Sequence, residues 1–133
     1  MKTAITFLIS VFTITFAFAQ HQHSSIHPPV TLNNGAKWSA NVETTRGIES
    51  MVKHVQSYQT GEKADKGALH ESLMDDYNGI FKNCTMKGEA HEQLHHYLLP
   101  LRDMLAELAA CEDCSHVMEH IDKHLASYSA YFE

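Results

Sequence analysis

From residue 39 onward, apolar side chains return every three to four positions, the period of a helix with one buried face. The first such segment runs from Ser39 to about Gln59 and aligns Thr44, Ile48, Met51, Val55 and Tyr58, with Gly61 as its stop. The second, about Lys63 to Asn83, aligns Leu69, Leu73, Tyr77, Ile80 and Cys84. The third opens near Gly88 and carries Leu94, Leu98, Leu101, Leu105 and Leu108. Pro100 lies inside it, and the loss of its N–H predicts a bend or break near residue 99. The fourth begins around Asp113 to Ser115 and turns Val117, Ile121, His124, Tyr128 and Phe132 inward. Period-2 alternation, the mark of a strand, is absent from this stretch.

Short connections between helices favour antiparallel neighbours, so the expected fold is all-α, an up-down-up-down four-helix bundle over residues 37–133. A three-helix bundle rearranged at Pro100 is the alternative. With helices of about 20 residues, each is roughly 30 Å long. Cys84 then stands about a helix length from Cys111 and Cys114, beyond the ~7 Å Cα separation a disulfide tolerates. Cys84 is therefore expected to be a free thiol. Trp38, just ahead of the first helix, is expected to cap the bundle pole.

The chain before residue 37 has another character. Lys2 precedes an apolar run over residues 4–18, and Ala17-Phe18-Ala19 is a small-x-small cleavage pattern. Residues 1–19 thus read as a signal peptide cut before Gln20, which makes the protein secreted or periplasmic. The run is shorter than the roughly 20 residues of a spanning helix, and no later segment reaches that length. Residues 20–36 hold His21, His23, His27, Pro28-Pro29 and Asn33-Asn34-Gly35, with little to bury, and read as a flexible tail. If processing also removes Gln20, His23 becomes the third residue, and a free amine, two backbone nitrogens and its imidazole form a square-planar Cu(II) chelate.

Charge narrows the field. The formal charge is −6, and the basic residues are dispersed rather than clustered, which argues against a nucleic-acid partner. Catalytic signatures are missing as well. Glu92-x2-His95 occurs without the second copy a di-iron bundle requires, and His70, Glu71 and Asp76 read as a solvated helix face. The chain is not expected to be an enzyme.

What stands out is eleven histidines, every one after residue 20, together with three cysteines and six methionines. The densest run is Cys84-x-Met86-x4-His91-x3-His95. Cys84 closes the second helix, Met86 lies in the turn, Gly88 lets the chain double back, and His91 and His95 share one helix face. A thiolate, a thioether and two imidazoles form a soft-to-borderline donor set that suits copper best, and zinc if Met86 stands aside. His96 is expected to face solvent. A second constellation is Cys111-x2-Cys114-x-His116-x3-His120, with His124 one turn further. It fits a local disulfide, metal ligation or thiol–disulfide chemistry.

A secreted chain of four helices and about 100 residues resembles, in architecture, the cytochrome b562 and cytochrome c-prime bundles. The c-prime resemblance implies covalent haem on a Cys-x2-Cys-His motif. This chain reads Cys111-Glu-Asp-Cys114-Ser115-His116, one residue longer before the His, and ahead of the helix rather than within it. The b562 resemblance implies haem held between a Met on the first helix and a His on the fourth, here Met51 with His120 or His124. The expectations are thus a metal carrier, buffer or stress-protection protein binding copper through Cys84, Met86, His91 and His95; alternatively a non-covalent haem protein; or a ligand-free interaction bundle.

Overall fold

The computed structural model describes residues 26–61 and 65–133. Five helices follow in chain order: α1 (Val42–Gln59), α2 (Lys66–Asn83), α3 (Gly88–Ala110), α4 (Ser115–Ala126) and the single turn α5 (Tyr128–Tyr131). The four long ones form an all-α bundle in which α1 packs on α2, α2 on α3, α3 on α4, and α4 back on α1. Residues 1–19, expected to be a signal peptide, and the tail histidines His21 and His23 lie outside the described residues.

Hydrogen bonds show which helix ends meet. Asn41, ahead of α1, donates through its side chain to the Asn83 carbonyl and accepts from the Thr85 N–H, joining the start of α1 to the end of α2. Thr45 and the Tyr128 hydroxyl, 3.1 Å apart, bring the end of the chain to that same pole. At the opposite pole Lys66 Nζ donates to the Cys111 carbonyl, tying the start of α2 to the end of α3.

The apolar stripes read from the sequence face inward. Ile48, Met51 and Val55 of α1, Leu73 and Ile80 of α2, and Leu94, Leu98, Leu101, Leu105 and Leu108 of α3 are buried, with Val117 and Ile121 of α4. Tyr58 and Cys84 are only half-buried. Met118 and Leu125, which the wheel left out, are buried too. At Gly47 the helices α1 and α2 come close: a Cβ there would lie 2.5 Å from Cγ1 of the buried Ile80.

Pro100 neither breaks α3 nor reduces the bundle to three helices; the helix continues to Ala110. Proline removes one backbone donor and crowds the preceding turn. Here side chains from other helices supply donors to that turn. His124 Nε2–H donates to the Tyr97 carbonyl at 2.8 Å, and the Tyr77 hydroxyl donates to the Leu98 carbonyl at 3.2 Å. Burial of Leu98 and Leu101 on either side of the proline holds both halves against one core.

The described part of the expected tail is tied down. Asn34 and Gly35 both have positive φ, 51° and 91°, and Asn33 and Ala36 exchange reciprocal backbone bonds around them. Asn-Gly is the preferred pair for such a tight reversal. The Thr31 N–H donates to Gln93 Oε1 of α3, His27 Nε2 lies 2.8 Å from Asp103 Oδ2, and Trp38 Nε1–H donates to the Thr31 carbonyl. Residues 26–36 therefore form a strap along α3 rather than a free tail. The chain end pairs with the strap's continuation: Trp38 N–H donates to the Tyr131 carbonyl, and Glu133 N–H to the Trp38 carbonyl. Trp38 itself is buried, as a pole cap should be.

Candidate metal centre

The pole where α2 ends and α3 begins holds the sulfur and imidazole cluster. Cys84 is the C-cap of α2, with extended backbone, so the chain leaves the helix there. Gly88 opens α3 with φ of 61°, a left-handed value that glycine takes without strain. This tight return sets the first turn of α3 against the last turn of α2.

In consequence Cys84 Sγ lies 3.5 Å from His91 Nδ1. His95, one turn on, lies beside His91 with ring centroids 4.5 Å apart and planes tilted at 59°, and it meets Phe81 edge-on at 5.5 Å. Cys84 is a free thiol, half-buried and packed against the hydrophobic core, as is Met86. Burial holds the His95 imidazole below its usual pKa, and the neighbouring His91 and His96 push the same way. A ring kept neutral has a lone pair to offer a metal. The sequence-predicted residues Cys84, His91 and His95 are thus brought to one corner, with Met86 in the intervening turn. Cys84 pairs with His91, and His91 with His95. Among the described residues no three His, Cys, Asp or Glu side chains converge on a single point.

The second constellation is organised differently. Cys111 and Cys114 are joined in a disulfide across the turn between α3 and α4. While that bond stands, neither sulfur is a thiolate ligand, so of the expected alternatives the local disulfide is the one formed. His116 and His120 are exposed on α4, their ring centroids 4.0 Å apart.

The residues named for axial haem ligation lie in unlike surroundings. Met51 is fully buried among core side chains. His120 is exposed. His124 is half-buried, stacked on Tyr97 with centroids 4.4 Å apart, and its Nε2 is committed to the Tyr97 carbonyl. The Tyr97 hydroxyl in turn donates to the His124 carbonyl at 2.9 Å. Burial lowers the His124 pKa and raises that of Tyr97, so both stay neutral in this reciprocal lock.

Two features went unread in the sequence. His96 does not face solvent: it is half-buried, lines a groove of about 250 Å³ with His27, Pro28 and Pro100 beneath the strap, and its Nδ1 is buried without a hydrogen-bond partner among the described residues. The other is Ser50, His54 and Asp76, which meet between α1 and α2. Ser50 Oγ and Asp76 Oδ2 each lie 3.5 Å from His54 Nε2. A nucleophile relay needs hydroxyl and carboxylate on opposite ring nitrogens. Here both crowd the same one, so the trio resembles a relay in composition only. The i,i+4 spacing of Ser50 and His54 was visible, but Asp76 joins them only through helix packing.

No family model matches the chain, and no curated protein or solved structure is significantly similar to it.

Proposed function

We propose that this protein binds a soft transition-metal ion, Cu(I) foremost, at the corner formed by Cys84, Met86, His91 and His95, and serves as a carrier or buffer rather than an enzyme. The observation that carries this reading is the free Cys84 thiol in contact with His91 Nδ1, with a second, half-buried imidazole beside it. Thiolate and thioether donors select Cu(I), and imidazole is compatible with it. The Cys84–His91 pair supplies two donors as it stands; rotation of His95 or Met86 about its side-chain torsions supplies a third. Zinc would need a fuller cage, which is why copper ranks first. The haem alternative has less behind it, because Met51 is sealed in the core, His120 is exposed and His124 is stacked on Tyr97.

Export fits the same picture. A disulfide such as Cys111–Cys114 persists in oxidising compartments. No helix among the described residues is long and apolar enough to cross a membrane.

The test is to load the full chain anaerobically with Cu(I), dialyse it, and measure retained metal by elemental analysis. Retention of one copper per chain, lost in Cys84→Ser and kept in Cys111→Ser/Cys114→Ser, is the expected result. Retention indifferent to Cys84 sinks the reading. A Soret band on haem addition that fades in Met51→Leu would favour the haem alternative instead.

A further inference from the structure

The exposed face of α4 carries a second imidazole pair that the copper reading leaves unused. His116 and His120 are four residues apart, so on a helix they stand one above the other. Their ring centroids are 4.0 Å apart with planes tilted at 51°, and both side chains are exposed. Two imidazoles this close on one rigid element can bind one metal ion at adjacent positions without moving the backbone. His124, a turn further on, is half-buried and stacked on Tyr97 instead of standing on the exposed face with them. The cysteines just ahead of α4 are closed off in the Cys111–Cys114 disulfide, and Met118 is buried in the core. Glu119, between the two in sequence, is already paired with Lys123 and stays outside the site.

We propose that His116 and His120 form a two-imidazole site for a borderline divalent cation of the nickel, copper(II) or zinc class, with water filling the remaining positions. Water is required because no third His, Cys, Asp or Glu converges there among the described residues. Imidazole suits these ions, and the absence of sulfur separates this site in chemistry from the Cys84 corner. The proposal stands whether or not that corner binds copper.

The experiment titrates Ni2+ into the full chain carrying Cys84→Ala and His91→Gln, which together disable the Cys84 corner. Titration calorimetry gives the affinity, and the unfolding temperature gives a second readout. Because only the helical conformation holds the two rings together, Ni2+ should bind the folded chain preferentially and raise that temperature. His116→Gln and His120→Gln are each expected to weaken the titration by about tenfold or more and to abolish the rise. His70→Gln, on α2 and outside both pairs, should leave both readouts unchanged. The proposal is overturned if either α4 variant keeps the parent titration and rise, or if His70→Gln removes them instead.

Discussion

At one pole of the bundle Cys84 keeps a free thiol 3.5 Å from an imidazole; at the other, Cys111 and Cys114 have spent theirs on each other. Each pole also carries a His pair at i,i+4. His91 and His95 lie half-buried, His95 against Phe81, whereas His116 and His120 stand in solvent. The same two residue types therefore meet different environments, and environment sets their chemistry. A half-buried thiol beside imidazoles is a soft-to-borderline donor set. An exposed imidazole pair beside a sealed disulfide is a harder one. Residue counts alone do not distinguish the two poles; solvent access and the state of the sulfur do.

The comparison breaks most directly at the sulfurs. Cys84→Ser should abolish Cu(I) retention outright, while Cys111→Ser/Cys114→Ser should leave it intact; elemental analysis of the dialysed proteins decides between them. Stability should run the other way. Removing the disulfide restores chain entropy to a short unfolded loop and should cost about 2 kcal/mol, read as a lower midpoint in urea. Cys84→Ser should cost less than that, since the thiol is only half-buried. If Cys84→Ser proves the more destabilising of the two, the free thiol is a packing element and the contrast fails.

A smaller effect separates the two ends of α4. Tyr97→Phe removes the hydroxyl that donates to the His124 carbonyl and should cost about 1 kcal/mol. Gln at His116 or His120, with nothing buried, should be close to neutral in the same denaturation experiment. The last contrast is in pH. Burial depresses the folded-state pKa of His124 below its ordinary 6.5. Unfolding then takes up a proton, so the stability associated with neutral His124 is complete above pH 6.5 and is lost as pH falls from there toward the folded-state value. Unfolding midpoints measured between pH 7.5 and 5 should fall, and His124→Gln should flatten that slope. A slope unchanged by His124→Gln would place the acid sensitivity elsewhere.

Much of the bundle was legible in the chain because burial imposes a 3.6-residue period that survives in the residue order. The stripes through Ile48, Met51 and Val55, through Leu69 and Leu73, and through Leu94 to Leu108 are all inside. Pro100 sits inside α3, as the apolar stripe on either side of it implies, without the break that its missing N–H also suggests. Its cost is local and visible in the sequence, whereas the donors that serve its turn come from Tyr77 and His124 on other helices. The strap was missed. Its Asn34-Gly35 reversal is a recognisable local signal, but its anchors at Gln93 and Asp103 are more than 60 residues away.

For the candidate site, the chain order placed Cys84, Met86, His91 and His95 within one helical corner, because a short turn and two helix ends fix that neighbourhood whatever the rest does. Their degree of burial was not in the sequence; it depends on Phe81 and the core beneath them. His96 makes the point most sharply, since its helical position faces outward, and the strap, with residues of the last helices, encloses the groove it lines. Helical period and the proximity of near neighbours are local properties, so the sequence determined them. Desolvation and the pairing of distant polar groups depend on what lies across the interface, so the tertiary structure decided which histidines are buried and what holds α3 together at its proline.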